Sequence, residues 1–208
     1  MAKVKLSELK KKLEEEVKKV NEQEKVLNGI HEEIEILVID MGYSQGGLAN
    51  LYCLGDGYVV AVSDSVKKIE EIIMKGYVAR VKAIRLIGTK RLVEVKDVKE
   101  EEDPEISEEN VWRGQIEWLP PRLRFIREDG EVWWIDAGSM NFERISKMRS
   151  GTYQAYVVPA TTYSRRSNDG SREYKRIRGF YYLLVEEEAQ PEGQTPVSEE
   201  KLPDTVSV

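Results

Sequence analysis

Apolar positions in the first 29 residues recur at the spacing of a helix. The positions seven residues apart are Leu6, Leu13, Val20 and Leu27, and Leu9 and Val17 fall between them among Lys and Glu residues. A narrow apolar seam of this period is typical of a coiled coil. The pattern predicts a coiled-coil-type helix over residues 1–29, ended by Asn28–Gly29. We weigh self-association through residues 6–27 slightly above packing of this helix on the rest of the chain.

From residue 30 the pattern changes to the short alternating runs and glycine turns of β-strands. Over residues 30–99 it predicts strands at 33–41, 48–54 and 58–62, a helix over 66–74, and strands at 77–86 and 91–98. Asp64 or Ser65 is expected to cap the helix, and Gly76 to end it.

The same order recurs after residues 100–110, which contain seven acidic side chains and no basic one and are predicted to be a linker. Strands are predicted at 111–118, 122–127 and 131–136, followed by a helix over 140–148 capped by Ser139, and by strands at 152–163 and 174–186. Residues 188–208 are polar, acidic and interrupted by prolines. They are predicted to form a disordered acidic tail that could recruit a protein partner.

The fold prediction is therefore mainly β, with two five-stranded units of order β-β-β-α-β-β over 30–99 and 111–187. This order resembles that of tandem OB folds, whose barrels bind ligands across the second and third strands. The first half also resembles the coiled-coil and OB region of proteasome-activating ATPases, on Gly76-Tyr-Val-Ala-Arg-Val, Leu92-Val-Glu-Val-Lys-Asp-Val and Asp103-Pro104. No phosphate loop of the GxxxxGK[ST] type follows, so the ATPase activity of that family is not expected here.

Composition gives little support for catalysis. The chain has one histidine, His31, and one cysteine, Cys53, which falls in an apolar strand and is expected to be a core residue. The acidic residues occur in solvated runs that lack the apolar surroundings of a tuned acid–base pair. We therefore expect no enzymatic activity, no metal and no cofactor. We also expect no membrane partner and a cytoplasmic location, and the many Glu, Lys and Arg residues would suit a thermophile.

Binding has stronger support, because the second unit is both basic and aromatic. Residues 111–187 carry 13 basic and 10 acidic side chains, although the whole chain has a net charge of −6. Aromatic faces on such a barrel stack on bases, and arginines contact phosphates. The predicted nucleic-acid-binding residues are Arg122, Arg124, Trp133, Trp134, Tyr163, Arg165, Arg166, Arg172, Tyr174, Lys175, Arg176 and Arg178.

The predicted ligand is single-stranded DNA or exposed RNA, including structured RNA such as ribosomal RNA. The first unit is a weaker candidate, because its corresponding loop has only Lys90 and Arg91. For any single Trp or Tyr, a place in the core remains the more common outcome. The alternative function is a protein-interaction or adaptor module that binds no nucleic acid, as the resemblance to proteasomal ATPases implies.

Overall fold

The computed structural model describes residues 30–55 and 57–185, together with residues 10, 12 and 14–16, which are helical. The rest of the predicted coiled coil, most of its proposed self-association surface over 6–27, and the acidic tail at 188–208 lie outside the described residues. These three expectations stay predictions.

The first unit, residues 30–101, is a five-stranded sheet with one α-helix. Its elements are β1 (His31–Ser44), β2 (Leu48–Cys53), β3 (Gly57–Val62), α1 (Lys67–Lys75), β4 (Val78–Leu86) and β5 (Leu92–Glu101). The strand order is β3-β2-β1-β4-β5. The two edge strands approach each other where Val60 N donates to Lys90 O at 2.7 Å. A parallel bridge between Val60 and Arg91 lies beside this bond, so the sheet curls toward closure.

The second unit, residues 112–184, is a closed barrel of five strands in the order β10-β8-β7-β6-β9. Its elements are β6 (Trp112–Leu119), β7 (Arg122–Arg127), β8 (Val132–Ile135), α2 (Met140–Ser146), β9 (Gly151–Arg166) and β10 (Glu173–Leu184). The barrel is closed by β8 and β10, which pair in parallel, while its other strand pairs are antiparallel. The prediction of a mainly β protein is confirmed, with a helix after the third strand of each unit.

The helix ends show one wrong prediction and two confirmed ones. Neither Asp64 nor Ser65 caps α1, because a 3-10 turn over Ser63–Val66 leads into the helix and no side chain bonds to its first N–H groups. The Ser65 hydroxyl instead donates to Val62 O at 2.7 Å. Gly76 ends α1 with φ 95°, and Ser139 caps α2 by accepting from Phe142 N at 3.3 Å.

Each unit has its own apolar core, filled from alternate positions of its strands. In the first unit Leu51 and Val59 face Ile69 of the helix, and Cys53 is buried among them as predicted. In the second unit Phe125 and Ile135 pack with other buried side chains.

A third apolar cluster joins the two units. Its buried members are Ile39, Val78, Val158 and Tyr181. Ile39 reaches this cluster because the pairing of β1 with β2 shifts register between Val38 and Asp40. The neighbouring residues Val38 and Met41 keep their places in the first core.

The buried carboxylate of Asp40 stabilises the contact between the two units. Asp40 is fully buried and accepts from Met41 N at 2.9 Å, from Asn141 N at 3.0 Å and from Phe180 N at 3.0 Å. Burial raises the pKa of Asp40 to about 7, although these bonds and one from Ser139 act in the opposite direction. The Asn141 amide donates to Ile39 O at 3.0 Å and to Phe180 O at 2.7 Å. The satisfied polar groups therefore hold β1 against α2 and β10 in one arrangement.

Glycine permits close backbone contact at the same junction. A Cβ at Gly42 would overlap the carbonyl of Gly138, and a Cβ at Gly179 would overlap the ring of Tyr52. Gly179 also has φ 68°, which favours glycine. The outer face of β1 and β2 is thus covered by the second unit.

Candidate functional site

A lateral row of polar and aromatic side chains crosses the outside of the second barrel. Residues paired directly across neighbouring strands share a face of the sheet. The paired residues are, in spatial order, Glu117, Arg124, Trp134, Arg176 and Tyr163. Their sequence neighbours Phe125, Ile135 and Ile177 are buried in the barrel, so the row faces outward.

The two adjacent tryptophans have different environments. Trp133 is half-buried and packs against the barrel core, with its ring centroid 4.9 Å from that of Trp112, and its Nε1 donates to Glu131 at 2.8 Å. Trp134 lies on the outer row, with the guanidinium carbon of Arg124 5.9 Å from its ring centroid. Tyr174 meets Trp134 edge to face at 6.4 Å. Both rings are half-buried, but Trp134 is the one on the outer face, where its ring is placed to stack on a base.

Trp134 borders a groove of about 540 Å³ at the turn between β6 and β7. Besides the tryptophan, the groove is lined by Glu117, Leu119, Pro120, Pro121, Arg122 and Arg124. Its surface is mainly apolar, and Arg122 is exposed at its edge. A groove with apolar walls and few polar groups suits the flat, partly polar edge of a nucleobase.

Several of the predicted basic residues are already paired with carboxylates. Arg124 bonds to Glu117, and Lys175 bonds to Glu131 and lies 5.5 Å from the ring centroid of Trp133. The bond from Lys175 holds the pKa of Glu131 below its ordinary value. These pairs fix the side chains in place but reduce the positive field that they would exert alone.

Asp136, at the end of β8, forms hydrogen bonds with three further residues of the predicted binding site. Its carboxylate accepts from Arg176 Nε at 2.7 Å, from Arg178 Nε at 3.1 Å and from the Tyr163 hydroxyl at 2.6 Å. Arg178 also lies over the Tyr163 ring, 4.9 Å from its centroid.

The four remaining arginines are exposed and form no ion pair with any residue that the structure describes. They are Arg122, Arg165, Arg166 and Arg172. Arg165 and Arg166 lie at the end of β9, which was predicted to stop at residue 163. The connection expected after residue 163 is therefore shorter, because β9 and β10 continue past the barrel in register as a β-ribbon and only residues 167–172 form its turn.

The tip of this ribbon is held by a network around Asp169. Its carboxylate accepts from the Ser167 hydroxyl at 2.5 Å and from Ser171 N at 3.0 Å, and these bonds lower the pKa of Asp169 to about 2. The Ser167 hydroxyl in turn accepts from Arg172 N at 3.0 Å. Arg172 therefore extends from an ordered turn.

Sequence reasoning missed the two carboxylates that organise this face. Glu117 lies between the buried residues Ile116 and Trp118, and this alternation could have predicted that it faces outward. Asp136 follows an apolar strand, but its arginine partners are 40 and 42 residues away in the sequence. Only the pairing of β8 with β10 brings them together.

No protein-family model matches the chain, and no curated protein matches it. Within the part of the chain that the structure describes, no group of three or more His, Cys, Asp or Glu side chains could hold a metal ion. Among the same residues, no helix is long and apolar enough to span a membrane.

Proposed function

We propose that the chain is a non-enzymatic, single-stranded nucleic-acid-binding protein built on two OB folds, and that the second unit makes the main contact. The ligand class is single-stranded DNA or unpaired RNA. The observation that carries the proposal is Trp134, which lies on the outer face of β8 beside Arg124 and next to an open groove.

The strand order supports the OB assignment. In the second unit β6, β7 and β8 are consecutive neighbours, β9 pairs with β6, and β10 closes the barrel against β8. The first unit has the equivalent order, with β3 meeting β5 at a single parallel bridge. The helix of each unit lies between the third and fourth strands. This order is compatible with the five-stranded Greek-key barrel of the OB fold, which binds on its second and third strands and adjacent loops.

The position of Trp134 fits that binding surface, because β7 and β8 are the second and third strands of the barrel. A base stacked on an aromatic ring contributes about 1 to 3 kcal/mol. The turn between β6 and β7, which includes Pro120 and Pro121, forms the other wall. We expect the half-buried ring and the groove beside it to take one base without requiring a particular sequence.

The exposed arginines supply the electrostatic attraction for the phosphates of the proposed ligand. Arg122 borders the groove, and Arg165, Arg166 and Arg172 extend from the ribbon of β9 and β10. None of these four has an ion pair with a described residue, so their charge is available to phosphates. Each phosphate that they neutralise would add to the salt dependence of binding, by about 0.7 in the slope of log K against log salt for a single strand.

The test is a fluorescence-anisotropy titration of single-stranded DNA and RNA oligomers at several salt concentrations, with a duplex as the competitor. We expect salt-sensitive binding that prefers single strands, and a Trp134→Ala variant that binds about 10- to 100-fold more weakly. Tyr156→Ala is the matched control, because Tyr156 is also exposed and lies near Arg113 but on β9, away from the groove. No binding at low salt would reject the proposal in favour of a protein-interaction module.

A further inference from the structure

A polar cleft lies where the second barrel meets β2 of the first unit. It has a volume of about 310 Å³ and is lined by Tyr52, Asp136, Tyr163, Arg165, Arg176 and Arg178, among others. Tyr52 is the first unit's contribution, and its ring rests against Gly179 of β10. The first unit therefore completes one wall of a cleft that the second unit otherwise lines.

The charge of this cleft is positive, because three guanidinium groups surround one carboxylate. Both oxygens of Asp136 are occupied, by Arg176 on one and by Arg178 and Tyr163 on the other. The side chain of Asp136 is 15% exposed, whereas that of Arg178 is 50% exposed. A ligand that enters the cleft therefore meets guanidinium groups before it meets the carboxylate.

The arginines also keep hydrogen-bond donors for a ligand. A guanidinium carries five N–H donors in a fixed planar arrangement. Asp136 and the Tyr163 hydroxyl accept only some of those of Arg176 and Arg178. Arg165, which lines the same cleft, has no ion pair with a described residue. Paired planar donors of this kind match the oxygens of a phosphate group.

We propose that this inter-unit cleft binds a phosphodiester of the same strand whose base stacks on Trp134, so that the bound strand contacts both units. The inference rests on the proposed function and adds a second, phosphate-specific site to it. Asp136 acts as a positioning residue that holds Arg176 and Arg178 at the cleft wall.

The spacing of the two sites is consistent with one continuous strand. Asp136 follows Trp134 by two residues along the chain, which corresponds to about 7 Å in an extended strand. Arg176 is paired with Trp134 across the strands and also lines the cleft, so it joins the stacking surface to the cleft. A strand that leaves Trp134 along β8 reaches the cleft without crossing the barrel.

The experiment combines protein variants with a modified ligand. The probe is the shortest single-stranded oligomer that the wild-type chain binds, prepared with one neutral methylphosphonate linkage at each position in turn. The variants are Arg178→Gln and Arg165→Gln, and the control is Arg149→Gln, an exposed arginine just before β9. Arg165 has no ion pair with a described residue, so its variant tests the cleft even if Arg178→Gln alters the junction.

We expect each cleft variant to bind the unmodified oligomer about tenfold more weakly and to reduce the salt slope by about 0.7. One methylphosphonate position should weaken binding to the wild type but have little further effect on Arg178→Gln. Arg149→Gln should bind like the wild type.

Two negative results are distinguishable. If Trp134→Ala weakens binding while both cleft variants keep the wild-type affinity and salt slope, the cleft site is rejected and the proposed function stands. The cleft site is also rejected if Arg178→Gln and every methylphosphonate position weaken binding independently, so that their losses of binding free energy add. If the wild type binds no oligomer, both proposals fail.

Discussion

Each unit has a row of side chains across the outer face of its first three strands, and the two rows are in opposite situations. In the first unit the row across the first three strands is Asp40, Tyr52 and Tyr58, and in the second it is Glu117, Arg124 and Trp134. Asp40 is fully buried and Tyr52 is 7% exposed, because the second unit covers them. The Glu117, Arg124 and Trp134 row instead borders an open groove.

One element order therefore serves two purposes in this protein. In the first unit the outer face provides hydrogen bonds and close backbone contacts for docking. In the second unit the equivalent face remains accessible, and its carboxylate orients an arginine beside an aromatic ring. We infer that the first unit acts mainly as a scaffold.

The largest expected effect concerns Asp40 on the covered face. Because its pKa is raised to about 7 in the folded protein, Asp40 favours folding at low pH and this contribution is lost as the pH rises through about 7. The unfolding free energy of Asp40→Asn should therefore increase relative to wild type between pH 4 and pH 8, by on the order of 4 kcal/mol. Urea unfolding across this range measures it, and a constant difference would contradict the assignment.

The next effect concerns the contact of Gly179 with Tyr52. Gly179→Ala should lower the unfolding free energy by about 3 kcal/mol, because the methyl group adds overlap with Tyr52 to the strain of a positive φ. Gly130→Ala is the matched control, since Gly130 has φ 85° but open space around it, and it should cost only about 1 to 2 kcal/mol. Equal losses in the two variants would show that the packing against Tyr52 contributes little.

A third effect compares the aromatic residues on the outer face of the third strand of each unit. Trp134→Ala should weaken binding of single strands by about 10-fold or more, whereas Tyr58→Ala should leave it unchanged. The reason is that Tyr58 belongs to the row of the scaffold unit and is already in contact with Lys90, whose Nζ lies 3.9 Å from the ring centroid. Anisotropy titrations of both variants make the comparison. A similar loss for Tyr58→Ala would extend the binding surface onto β3 of the first unit.

The smallest effect concerns single charges. Replacing Arg122, Arg166 or Arg172 individually with Gln should reduce the salt slope by about 0.7, with a modest loss of affinity. The same change at Lys90 or Arg91 in the first unit should leave the slope unaltered. An unchanged slope for Arg122→Gln would remove the groove edge from the phosphate-binding surface, and unchanged slopes for the other two would remove the ribbon.

Part of this site could be predicted from the sequence. Adjacent residues of a strand point to opposite faces, so one member of the pair Trp133 and Trp134 had to face outward. The sequence does not say which one, because that depends on how β8 pairs with β7 and β10. Likewise, a count of basic residues overstated the available charge, since Arg124 and Lys175 are paired with carboxylates on other strands.

One feature of the sequence indicated a buried contact between the units, but sequence reasoning overlooked it. Asp40 lies within the run Leu37-Val-Ile-Asp-Met41, and an isolated carboxylate in an apolar strand requires partners if it is buried. Its position could have predicted a buried polar contact. The partners themselves, Asn141 and Phe180, are 101 and 140 residues away, so no local pattern identifies them.

The sequence alone determined the elements of each unit, because apolar periodicity, turn glycines and the Ser139 cap are local properties of the chain. The tertiary structure decided which outer face is covered and which is open. It also decided which charges are neutralised and which reach solvent. Those outcomes depend on strand register and on contacts between distant segments, where burial of Asp40 and close packing of Gly179 on Tyr52 fix one arrangement of the two units.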